Sequence, residues 1–67
     1  SGNYQKAIKD YDKAIELDPK EAGAYRGRGH AYEKLGNHQQ AVADFKKAAR
    51  LGNKNAQDFL RKQGVQW

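Results

Sequence analysis

The sequence has no cysteine, no methionine, a single proline, a single tryptophan and no long apolar run. Without cysteine, neither a disulfide framework nor a thiolate zinc site can hold a small fold together. The same absence is compatible with a reducing, cytoplasmic setting without requiring one. No apolar stretch approaches the roughly 20 residues of a membrane-spanning helix, and no signal-peptide apolar core is visible. Period-two alternation and β-branched runs are also missing, which leaves a sheet without support. Nothing in the residue pattern looks like a catalytic constellation. The only two histidines, His30 and His38, fall on different expected helices, so a metal site is not expected and no cofactor is implied. The absent initiating methionine reads as the mark of a piece cut from a longer protein.

What is present is a chain of 67 residues, enough for one small domain with a modest core. Thirteen Lys and Arg against eight Asp and Glu give a net charge of +5, which raises the question of nucleic acid. The cations Lys6, Lys9, Lys13, Arg26, Arg28, Lys34, Lys46, Lys47, Arg50, Arg61 and Lys62 are spread along the chain, not gathered into one block. Acids such as Asp10, Asp12, Glu16, Glu33 and Asp44 interleave with most of them. That distribution describes a solvated helical surface better than a nucleic-acid footprint. The segment from Gly23 to Gly29 is glycine-rich and basic, but it has no preceding strand and no following lysine with Ser or Thr, so it is not a phosphate loop.

Sliding the sequence against itself by 34 positions reveals an internal repeat. Gly2-Asn3 falls on Gly36-Asn37, Gln5 on Gln39, Ala7 on Ala41 and Asp10 on Asp44. Lys13-Ala14 falls on Lys47-Ala48, Leu17 on Leu51, Lys20 on Lys54 and Ala22 on Ala56. Ile8 pairs with Val42, Tyr11 with Phe45 and Tyr25 with Phe59. Each copy divides into two helical stretches. Residues 4–17 place Tyr4, Ala7, Ile8, Tyr11, Ala14 and Ile15 at helical spacing, with Leu17 closing the stretch, and Asp18-Pro19 should end the helix. A second helix is expected over about 22–35, with Tyr25, Ala31, Tyr32 and Leu35 on its packing side. Gly36-Asn37 then forms the turn. Residues 38–51 repeat the first pattern, Gly52-Asn53 closes it, and a shorter helix follows over about 55–63. The fold class expected is all-α, four helices in antiparallel helix-turn-helix repeats.

The residues Tyr25-x-x-Arg28-Gly29-x-x-Tyr32, followed by Ala41-x-x-x-Phe45 and Ala48, resemble the tetratricopeptide repeat family. Ala7-x-x-x-Tyr11, Ala14 and Pro19 supply the second half of a preceding copy, so the resemblance covers nearly the whole chain. On that reading the single domain (1–67) comprises a trailing helix (4–17), one complete repeat (22–55) and a C-terminal capping helix (55–67) with Trp67 as an anchor, at the C-terminal end of an array. Small residues at Gly29, Ala41 and Ala48 would allow close helix approach, and Tyr25, Tyr32 and Phe45 would fill the gaps between hairpins. Arg28 stands where the family usually has leucine, and its head is expected in water with the aliphatic stem on the core edge. Asn53 stands where the family usually has proline.

The resemblance implies a non-catalytic protein-interaction scaffold whose concave side is lined by Gly23, Arg26, Gly27, His30, Glu33, Lys34 and Arg61. Gly23 and Gly27 would open the floor, and the other side chains would offer mostly positive charge to an acidic or carboxylate-ended peptide. Arg26, His30 and Arg61 match positions used in the family's carboxylate clamp. The asparagines usual in that clamp are absent, which argues against a chaperone tail as the ligand. His38 is expected to pack at the start of its helix, in the place Tyr4 holds in the other copy. A structural segment without a ligand is the alternative. The stripe Tyr4, Ile8, Tyr11 and Ile15, left without a preceding helix, is expected to promote a homo-dimer of the fragment.

Overall fold

The computed structural model describes residues 3–67, and the first glycine of the repeat match, Gly2, lies outside them. Four helices follow in chain order: α1 Tyr4–Leu17, α2 Ala22–Lys34, α3 His38–Arg50 and α4 Lys54–Lys62. No strand occurs among the described residues. The bounds lie within one residue of the helical stretches expected, but the capping helix expected over 55–67 ends at Lys62, where Gly64 turns the chain out of the helix. The connections are so short that consecutive helices must reverse direction. α1 packs on α2, α2 on α3 and α3 on α4.

The helix ends follow two chemistries. α1 stops at Asp18-Pro19: the Asp18 amide still donates to the Ala14 carbonyl at 2.9 Å, but its backbone has already turned extended, as a residue before proline prefers. The other three helices end in one shared motif. Gly36, Gly52 and Gly64 adopt φ of +82°, +99° and +72°, in the left-handed region that glycine enters without penalty. Around each, two amides fold back onto orphan carbonyls. For α2 these are Gly36 to Glu33 at 3.0 Å and Asn37 to Tyr32 at 2.9 Å. The Asn53 departure also finds its reason here, because its side-chain oxygen accepts the Ala56 amide at 2.8 Å and so starts α4 one residue earlier than expected.

The core is built from Ala24, Tyr25, Ala31, Ala41, Phe45, Ala48, Ala49, Ala56 and Leu60. Six of these nine are alanine, so the helices approach closely and a few large side chains do the filling. Phe45 of α3 stacks on Phe59 of α4 with ring centroids 4.2 Å apart. Leu60 is fully buried, which is worth roughly 2 kcal/mol. Gly29 admits α3: a Cβ there would stand 3.2 Å from the Ala41 carbonyl and 3.3 Å from Phe45. Leu35, expected on the packing side, is instead 39% exposed, because it is the cap residue where α2 has already begun to turn away. α1 contributes no fully buried residue to this core.

Candidate functional site

α2 is the helix that holds the chain together, and its residues explain why. Arg28 reaches both neighbours. Its Nε and one terminal nitrogen donate to the two oxygens of Asp44 on α3, each at 2.8 Å. Its other terminal nitrogen donates to Asp12 on α1, also at 2.8 Å. The guanidinium lies 5.7 Å from the Tyr25 ring centroid and 6.0 Å from that of Tyr32. Asp44 is buried, and its pairing with Arg28 is what makes that burial tolerable. The hydrogen bond to Asp44 does most to raise the arginine's pKa above its ordinary value, while partial burial opposes it. The sequence alone points this head into water, but the structure locks it on two carboxylates. The signal was present in Ala41, Asp44, Phe45 and Ala48, where an acid occupies a position on the packing stripe.

Gly27 also has a different role from the one expected. A Cβ at Gly27 would overlap the ring of Tyr11 from α1, so this glycine seats a neighbouring aromatic ring and does not open a floor. Gly23 does stand open, with nothing within 4 Å of the place a Cβ would take. Tyr11 and Ile15, two of the four stripe residues, are thus engaged within the chain, Tyr11 on Gly27 and Ile15 against the core. Tyr4 and Ile8 are half-buried.

The remaining site candidates divide by helix. Gly23, Arg26, His30, Glu33 and Lys34 follow one face of α2 at helical spacing. His30 and Lys34 are exposed. Glu33 is exposed, and its carboxylate lies 3.3 Å from Nδ1 of His38 across the α2–α3 turn. His38 is correspondingly exposed and not packed into the helix start, since the α2–α3 turn leaves its imidazole facing Glu33 and solvent. Arg26 is half-buried, and its Nε is sealed from solvent without a hydrogen-bond partner. Arg28, Arg50 and Arg61 each donate to an oxygen. Arg61 lies on α4, where it pairs with Asp58 at 2.9 Å and sits 5.6 Å from the Trp67 ring. With Gly64, Val65, Gln66 and Trp67 it lines a concavity of about 450 Å³ that no α2 residue borders. The Trp67 carbonyl accepts from Arg50 Nε at 2.9 Å, so this tail is tied to both α3 and α4.

The charge balance reinforces the picture. Among the described residues, ion pairs engage Lys13, Arg28 and Arg61 of the cations, and Asp12, Glu16, Asp44 and Asp58 of the acids. Of these acids only Asp44 is buried; the others are paired at the surface. No group of three or more potential metal ligands comes together among the described residues.

Family models described as "TPR repeat" and "Tetratricopeptide repeat" match residues 1–36 and 22–55, the second running from the first residue of α2 into α4. The chain belongs to the tetratricopeptide repeat family. Comparison with curated proteins and with solved structures gives no match. Tetratricopeptide repeats are generally protein–protein interaction modules and generally non-enzymatic, and they take proteins as partners. No described helix is long and apolar enough to cross a membrane.

Proposed function

We propose that this chain is a non-catalytic scaffold segment that binds an acidic or carboxylate-ended peptide along the exposed face of α2. Arg26 carries the reading. It is the one arginine among the described residues whose side chain makes no hydrogen bond, and its Nε is withdrawn from water. A buried donor left unmade costs about 1–3 kcal/mol, and a carboxylate arriving over α2 would meet the same guanidinium at its terminal nitrogens, which are not sealed from solvent. His30 and Lys34 follow on the same face as further donors, and open Gly23 leaves room for backbone to approach. Glu33, the acid on this face, stands 3.3 Å from Nδ1 of His38. Arg61 is left out of the binding set because its partners, Asp58 and Trp67, hold it on α4.

The reading is tested by titrating the chain with peptides ending in acidic residues and a free carboxylate. Arg26→Ala is expected to weaken binding at least tenfold, with affinity falling as salt is raised. Equal affinity in the variant, or equal affinity for an amidated neutral peptide, would remove the basis for the proposal.

A further inference from the structure

Hydrogen-bond donors recur along α2 at one fixed interval. Arg26, His30 and Lys34 follow one another every four residues, so their side chains form a single row along the helix. Each step of that row rises about 6 Å along the axis. His30 and Lys34 are exposed, and Arg26 reaches the row from a half-buried position. Among the described residues none of these side chains enters an ion pair. The cations of the other helices are placed differently. On α1, Asp10 and Asp12 alternate with the lysines, and Lys13 pairs with Glu16 at 3.4 Å. On α3, Arg50 donates to the Trp67 carbonyl and Lys47 lies 5.9 Å from the Tyr25 ring centroid.

A ligand for the α2 row must present acceptors at the same interval. An extended peptide turns alternate side chains to one side, and these stand about 7 Å apart. The difference from the helical rise accumulates to only about 1 Å between Arg26 and Lys34, which long flexible side chains absorb. A helical ligand with acids four apart matches the interval as well, but such a ligand docks by burying an apolar face. The exposed residues of α2 are Gly23, His30, Glu33 and Lys34, and none has an apolar side chain to receive it. The two ends of the row also differ. Gly23, one turn ahead of Arg26, has nothing within 4 Å of the place a Cβ would take, so a chain end has room there. At the other end Glu33 lies beside His30 and Lys34 and repels acids placed between the matched positions.

Building on the reading that Arg26 receives a carboxylate, we infer that the preferred ligand is an extended peptide running antiparallel to α2 with acids at alternate positions. Its terminal acidic residue meets Arg26. The acids two and four residues before the end meet His30 and Lys34, and uncharged residues separate them. Arg26 offers a planar fork, His30 a ring N–H and Lys34 a point charge, so the Arg26 end fixes the register. The intervening side chains point away from α2 and are free to vary among uncharged types.

The test uses synthetic peptides of equal charge, each with three aspartates and a free terminal carboxylate: Asp-Ser-Asp-Ser-Asp, its isomer Ser-Asp-Ser-Asp-Asp, and the helically spaced Asp-Ser-Ser-Ser-Asp-Ser-Ser-Ser-Asp. Isothermal titration of the chain is expected to show the alternating peptide binding about fivefold tighter than either of the others. Lys34→Ala is expected to weaken the alternating peptide about twofold while barely changing the isomer. The inference is overturned if the two isomers bind alike, if the helically spaced peptide binds tightest, or if Lys34→Ala weakens both isomers equally. Binding that depends on Arg26 but not on spacing overturns this inference alone. Absence of binding by all of the peptides overturns the proposed function with it.

Discussion

Arg28 and Asp44 meet through two parallel hydrogen bonds of 2.8 Å, with the carboxylate buried and the guanidinium turned inward from the middle of α2. The same arginine holds Asp12 at 2.8 Å, so one side chain ties α1, α2 and α3. A chain of this length has only about 3–10 kcal/mol of total stability. Replacing Arg28 by alanine strands a buried carboxylate and should cost about 3 kcal/mol in urea unfolding. Arg28→Leu should cost nearly as much alone, while Arg28→Leu combined with Asp44→Ala should recover a large part of the loss. A double variant no better than the single one would show that the two residues are not coupled. The arginine's pKa is shifted upward, so while the Asp44 and Asp12 carboxylates are ionised the stabilisation that shift represents is in place up to the ordinary arginine value and fades only above it.

Three glycines of α2 should answer differently to alanine. Gly23 has open space around it, so Gly23→Ala should stabilise by roughly 0.5–1 kcal/mol through helix propensity alone. Gly29 faces the Ala41 carbonyl as well as side chains, and Gly29→Ala should destabilise by about 1–3 kcal/mol. Gly27→Ala should fall between them, because the obstructing atoms are the far end of the Tyr11 ring, which can swing aside. Adding Tyr11→Ala to Gly27→Ala should then remove the clash. Thermal denaturation of the set ranks them, and a stabilising Gly29→Ala would contradict the packing described.

Trp67 is the only tryptophan, and the Arg61 guanidinium lies 5.6 Å from its ring. Arg61→Ala should therefore alter tryptophan emission while leaving affinity for an acidic peptide within about twofold, since rim charges apart from the contact contribute little. If peptide binding at α2 changed the Trp67 emission and Arg61→Ala abolished binding, the arginine would have to be restored to the binding set.

The architecture was open to reading because it is periodic. Apolar spacing placed α1 and α3, the Asp18-Pro19 and Gly52-Asn53 signals placed their ends, and the 34-residue match tied the copies together. What escaped was pairwise geometry between helices. Arg28 looked like a surface substitution for leucine because nothing local reveals that two acids, each sixteen positions away, converge on it. Gly27 looked like an opening because the ring that fills it comes from α1. His38 and Glu33 pair across a turn whose shape no single-helix pattern encodes.

The central claim is that α2 offers Arg26 to a carboxylate partner, and isothermal titration of the chain with an acidic, free-carboxylate peptide tests it most directly. The account predicts saturable, salt-sensitive binding that weakens at least tenfold in Arg26→Ala and is retained in Arg61→Ala. Binding that is indifferent to Arg26, or no binding to acidic peptides at any salt concentration, would contradict it.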